Sequence, residues 1–306
     1  MEMAFIILKQ TLVMGIYMAA GYILFKTGKI TLEGSRTLAN VLIWLITPCM
    51  LIRSFCVEYS TEKLIMLGQS FVLCTIAMFL SIFVASRIFR KNAIDRFAAA
   101  FSNAGFIGIP LILAAMGQEA VFYICGLLVW VNLLQWSWGV AIIKGEKMSF
   151  SPRALLTNPF IYATLISLFL FLTGLGTRLP SVVSTAISGI ADLTAPIAML
   201  ILGVYLAQTK ISKLFAMPRL YFLSVIRMWL IPLLTLLVFA LFPFPNDIRM
   251  TVLISAAAPV GANVAVYAQM YNGDYPYACQ TVAQSTVLSI AMQPLFIMLA
   301  SFVLGM

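Results

Sequence analysis

The residues best suited to chemistry in this chain lie in two short stretches that interrupt apolar runs. One reads Ser102-Asn103-Ala104-Gly105-Phe106-Ile107-Gly108-Ile109-Pro110, and the other Ala258-Pro259-Val260-Gly261-Ala262-Asn263. Proline removes a backbone donor and clashes with the preceding turn. Glycine permits unwinding and close backbone approach. A helix broken inside an apolar run frees carbonyls and amides that protein or a water-filled cavity must satisfy. The break also aims the partial positive charge of a half-helix N-terminus at its own position. One such stretch alone reads as a proline kink that eases packing. Two, each carrying glycine and asparagine at matching places, read as a substrate site. Its candidate residues are Asn103, Gly105, Gly108, Pro110, Pro259, Gly261 and Asn263.

Two ionisable residues fall deep in other apolar runs. Asp192 lies about 12 residues, roughly 18 Å, into its run, a depth at which a carboxylate is costly and usually functional. It reads as a proton site, an ion-coordinating group or a gate partner, or else as a structural mate of Arg227. Arg227 lies about eight residues, roughly 12 Å, into its own run. It reads as a side chain reaching back to the surface, a mate of Asp192, or an attractor of anions. Both are candidates for coupling or gating. Pro48 and Pro196 stand with few polar neighbours and read as hinges. Gln280, Gln284, Thr281 and Ser285 recur four apart on one helical face. Gln284 and Ser285 therefore join the substrate-site candidates, with plain interhelix hydrogen bonding as the competing reading. Lys9 and Arg53 read as interface anchors.

The composition narrows the chemistry further. Of 306 residues none is histidine, which excludes His-based triads, His metal sites and His proton relays. The five cysteines form no C-x-x-C pair and read as free thiols in apolar surroundings. Charged residues make up 9% and apolar residues 62%, with a mean hydropathy of +1.04. A water-facing surface cannot be built from so few charges, so soluble, disordered and nucleic-acid-binding classes are excluded and the bilayer is the solvent.

Positioning these residues takes ten apolar spans, at roughly 4–25, 37–57, 64–86, 97–115, 119–141, 159–174, 180–206, 219–241, 250–270 and 278–304. Ala4–Phe25 reads as a retained span rather than a signal peptide. Alternate connections carry Lys26, Lys29 and Arg36; Arg87, Arg90, Lys91 and Arg96; Lys144, Lys147 and Arg153; and Lys210, Lys213 and Arg219. The opposite side carries only Lys9, Arg53, Lys63, Arg178 and Arg249. The positive-inside rule then leaves both termini outside the cytoplasm. The net charge of +9 is an orientation signal and needs no polyanionic partner.

The two halves echo each other. Phe25-Lys26-Thr27-Gly28 returns as Phe171-Leu172-Thr173-Gly174, and Pro48 returns as Pro196. Arg96 and Arg249 are 153 apart, as are Gly108 and Gly261. Five spans per half is an odd number, so the second half, 151–306, inserts upside down relative to the first, 1–150. The expected fold is an all-α polytopic membrane protein, a 5+5 inverted repeat with broken helices 4 and 9 crossing. That is an architecture of secondary transporters.

Taken in order, these motifs resemble the auxin efflux carrier family, which includes plant auxin exporters and bacterial malonate or malate permease-like proteins. The resemblance rests on Pro48, Asn103…Gly108-Ile109-Pro110-Leu111, Asn158-Pro159…Tyr162 and Asp192…Pro196-Ile197-Ala198-Met199…Gly203. It continues through Arg227…Pro232 and Ala258-Pro259-Val260-Gly261-Ala262-Asn263 to Tyr271…Asp274, and it is collinear over nearly the whole chain. It implies ten helices, a small carboxylate anion bound where helices 4 and 9 cross, and a homodimer. The short connection around 143–158 lacks the long cytoplasmic loop of typical plant members. Bile-acid and sodium symporters share the broad architecture, so a proton- or sodium-coupled symporter is the alternative, with a ligand sensor or channel on the same fold behind it. No cofactor or resident metal is expected, and H+ or Na+ enters only as a coupling ion. An enzyme has no support from any His, Cys-His or paired-carboxylate constellation, and a nucleotide-driven pump has none from a Gly-rich Lys-Ser/Thr loop.

Overall fold

The structure is a computed structural model and describes residues 2–146, 159–209 and 211–306. The division expected at 150/151, Asn158 and the loop cations Lys147, Arg153 and Lys210 lie outside the described residues, as does the side chain of Lys213. Every extended element among the described residues is helical. In chain order they are α1 (Glu2–Lys26), α2 (Leu32–Phe55), α3 (Thr61–Ile88), α4 (Ala93–Ala100), α5 (Ala104–Met116) and α6 (Glu119–Lys144). There follow α7 (Pro159–Thr173), α8 (Ser181–Ala207), α9 (Pro218–Ala240), α10 (Asn246–Ala256), α11 (Asn263–Met270) and α12 (Tyr275–Leu304). Side chains set the starts: Thr31, Ser60, Asn92 and Asp274 each accept a hydrogen bond from the amide three residues on.

Among the described residues seven helices, α1, α2, α3, α6, α8, α9 and α12, are long and apolar enough to cross a membrane. The sequence led us to expect ten spans, and the difference has a physical reason. The expected fourth and ninth spans are each split into two arms, α4 with α5 and α10 with α11. Neither arm reaches the roughly 20 residues that a hydrocarbon core demands. The expected sixth span is the 15-residue α7. The outer surface is apolar, with Phe5, Ile16, Phe79, Phe83, Leu165 and Phe169 all exposed, as suits an integral membrane protein. All five cysteines are free, and three of them are buried.

Four segments depart from α geometry by widening to a π turn: Leu42–Ile46, Ala104–Gly108, Gln135–Gly139 and Ile226–Leu230. Three of them end two residues before a proline, at Pro48, Pro110 and Pro232. A proline ring clashes with the carbonyl four residues back. In each case the amide just before the proline instead donates to the carbonyl five residues back, as Thr47 does to Leu42, Ile109 to Ala104 and Ile231 to Ile226. The wider turn accommodates the ring without ending the helix.

Helix α1 crosses α8 at van der Waals contact of the backbones. A Cβ on Gly21 would overlap the Leu200 carbonyl, and one on Gly203 the Met18 carbonyl. At the start of α4, the fully buried Asp95 carboxylate accepts from Arg219 Nε at 2.7 Å and from Tyr277 Oη at 2.7 Å. This ties α4 to the beginnings of α9 and α12. Arg219 is half exposed while Asp95 is not. Losing the arginine therefore strands a buried charge, at a cost of about 3 kcal/mol, whereas losing the carboxylate lets the arginine return to solvent. Arg219→Met should accordingly lower the melting temperature of the purified protein clearly more than Asp95→Asn. An equal or reversed ranking would show that this tie is not held by the buried charge.

Candidate substrate site at the meeting of two broken helices

The two interruptions meet. Phe101–Asn103 runs antiparallel to Pro259–Gly261, with Ser102 opposite Val260. The Asn103 amide donates to the Pro259 carbonyl at 2.8 Å, and the Gly261 amide donates to the Phe101 carbonyl at 3.0 Å. Each break thus satisfies the other's freed backbone groups, which an apolar surrounding cannot do. The Val260 amide donates to Ser285 Oγ at 3.2 Å. The approach needs glycine at one point, since a Cβ on Gly261 would stand 3.2 Å from the carbonyl oxygens of both Phe101 and Ser102. The pairing sets Ser102 against Val260, 158 residues apart.

The carbonyl ends of the first arms converge on one cation. Arg227, buried and borne on the π turn of α9, donates from Nη1 to Ala99 O at 2.9 Å, to Ala100 O at 3.3 Å and to Ser81 Oγ at 2.8 Å. Its Nη2 donates to Ala256 O. The amino-terminal ends of the second arms, α5 and α11, face a cavity of about 450 Å³. The first amides of a helix have no partner within it and carry its positive pole.

The cavity is lined around the breaks by Ser102, Asn103, Gly105, Gly261 and Asn263, and among the described residues no charged side chain lines it. Asn103 is 5% exposed, and its Nδ2 has no hydrogen-bond partner. Asn263 Nδ2 donates to Gln135 Oε1 at 2.6 Å. The remaining walls are largely apolar and aromatic, among them Trp44, Phe106, Leu128, Trp136, Val266 and Tyr267. Trp136 meets Tyr267 edge to face at 5.4 Å. Three of the four π turns contribute lining residues: Ile43 and Trp44, Gly105 and Phe106, Gln135 and Trp136.

Of the residues singled out from sequence, Asn103, Gly105, Gly261 and Asn263 border this cavity, and five others stand behind it. Gly108 lets α5 lie on α10, where a Cβ would be 2.5 Å from Ser255 Oγ. Pro110 follows a π turn, and Pro259 supplies the carbonyl paired with Asn103. Ser285 braces Val260, whereas Gln284 is turned away, accepting from Ser224 Oγ and donating to Leu214 O. Asp192 does not meet Arg227. It pairs at 2.6 Å with Arg53, whose expected part was an interface anchor, and its side chain is 70% exposed. Pro48 follows the π turn of α2, and Pro196 follows the turn at Asp192–Leu193 that divides α8.

Gln135, Asn132, Trp136 and Thr194 line the cavity without having been singled out. The signal for Gln135 and Asn132 is two uncharged polar residues three apart inside a largely apolar span.

A family model described as membrane transport protein matches residues 6–154 and 147–297. A Rhizobium meliloti protein named as a candidate malonate transporter is 24% identical over 234 residues, 73% of this chain and 72% of its own. An uncharacterized transporter of Methanothermobacter thermautotrophicus is 27% identical over 291 residues, 90% of this chain and 92% of its own. With both halves of its length matched, the chain belongs to the membrane transport protein family, that of the auxin efflux carriers.

Proposed function

We propose that this protein is a secondary transporter or facilitator that moves a small organic carboxylate across the cytoplasmic membrane by alternating access. In this reading it is a 5+5 inverted repeat with both termini outside, working as a homodimer, with substrate bound where the broken helices cross. The observation that carries the reading is the Asn103 carboxamide. A buried, unpartnered Nδ2 beside two helix amino termini is a set of neutral donors suited to a carboxylate. No step of bond making is called for.

The same geometry bears on the substrate. Donors cluster at the crossing, while the other walls are mostly apolar, with Thr47, Asn132 and Thr194 as neutral exceptions, and among the described residues offer a second negative charge no cationic partner. A stranded charge costs several kcal/mol. One carboxylate on an apolar body suits this cavity better than a dicarboxylate does. No carboxylate side chain lines the cavity, which supports a driving force from the membrane potential acting on the anion itself. The coupling role expected of Asp192 draws no support from its position beside Arg53.

Proteoliposomes with an imposed membrane potential test the reading. Phenylacetate should accumulate saturably and compete with other apolar monocarboxylates. Flux of no carboxylate under any imposed potential, proton or sodium gradient would overturn it. In equilibrium binding, phenylacetate should bind at least about tenfold more tightly than malonate, and the opposite order would refute the single-charge reading. Asn103→Ala should weaken phenylacetate binding by about tenfold or more, the scale of a hydrogen bond to a charged group. The melting temperature without ligand should stay within a few degrees. Unchanged affinity would remove Asn103 from the site.

A further inference from the structure

Arg227 is a fully buried cation that forms no ion pair among the described residues, which calls for an explanation. Its partners supply one. The guanidinium binds the last carbonyls of α4 through Nη1 and the last carbonyl of α10 through Nη2, with Ser81 Oγ completing the Nη1 set. Each helix carboxyl terminus carries about half a negative charge. Two such termini balance one guanidinium without any acid. The planar fork suits this task because its two amino groups can each serve a different helix, whereas an ammonium is a single point. The π turn at Ile226–Leu230 carries the residue at the depth where both arms end.

We propose that Arg227 is a positioning residue for the carboxylate site. By clamping the carboxyl ends of both first arms it fixes the register in which Phe101–Asn103 pairs with Pro259–Gly261. It thereby holds the amino ends of α5 and α11 and the Asn103 carboxamide in one convergent set. Arg227 does not line the cavity, so it acts through the crossing and not by touching the anion. The inference rests on reading the crossing as a carboxylate site, but the clamp itself has a readout that needs no ligand.

The test uses the full chain in nanodiscs, with Arg227→Lys and Ser81→Ala as variants and two measurements on each. Hydrogen exchange reports the amides of Asn103 and Gly261, and calorimetry reports phenylacetate affinity. Arg227→Lys keeps the charge and loses the fork. Both amides should exchange at least about tenfold faster, and phenylacetate should bind about tenfold more weakly, a change equivalent to about 1.4 kcal/mol. Ser81→Ala removes one guanidinium acceptor and should speed exchange at both amides in the same direction by a smaller factor. A residue that only stabilised the fold would lower the melting temperature and leave affinity in the folded protein unchanged. Wild-type exchange rates and affinity in Arg227→Lys would overturn the proposal. Should that variant not fold, unchanged exchange in Ser81→Ala would overturn it. If the unaltered protein binds no phenylacetate, the carboxylate reading fails, and the exchange data still decide whether the clamp exists.

Discussion

A helix cannot be broken in an apolar medium unless its freed backbone groups find partners, and this chain breaks two at the same place. The solution is mutual. The antiparallel pairing of Phe101–Asn103 with Pro259–Gly261 satisfies two amides and two carbonyls, and Ser285 takes the amide between them. The carbonyls left at the ends of α4 and α10 fall to Arg227. Most other features of the interior follow from keeping this junction intact. Gly261 admits the second backbone, Gly108 lets α5 lie on α10, and the Asp95–Arg219–Tyr277 tie anchors the far end of α4.

The junction also sorts charge. The negative ends of two arms point to a buried guanidinium, and the positive ends of the other two point to a cavity. A protein with 9% charged residues thereby creates a polarised pocket that no ionic side chain among the described residues lines. The π turns serve the same end. Three accommodate prolines, and three, not the same set, turn residues such as Trp44, Phe106 and Gln135 onto the cavity wall.

Much of this was legible in the sequence because helix breakers inside apolar runs have few other uses. The paired Asn-Gly-Pro stretches mark the two segments that pair in the structure, and the hydropathy marks the long helices. What was not legible was side-chain direction across helices. Asp192 was read as deep and as a mate for Arg227, but the turn at residues 192–193 faces it outward onto Arg53. Arg227 was read by its charge alone, whereas its partners are backbone carbonyls, which no sequence pattern displays. Asp95 drew no notice because an acid beside Arg96 at a span's edge looks like an ordinary helix start. Its burial comes from Arg219 and Tyr277, both more than 120 residues away.

The central claim is that the crossing of the broken helices holds the carboxylate, and locating a heavy-atom ligand tests it most directly. A structure solved with 4-bromophenylacetate should place the carboxylate within about 3.2 Å of Asn103 Nδ2, between the first residues of α5 and α11, with the bromine among Trp136, Val266 and Tyr267. A carboxylate found instead on an exposed cation such as Arg219, with the crossing cavity unliganded, would contradict the account.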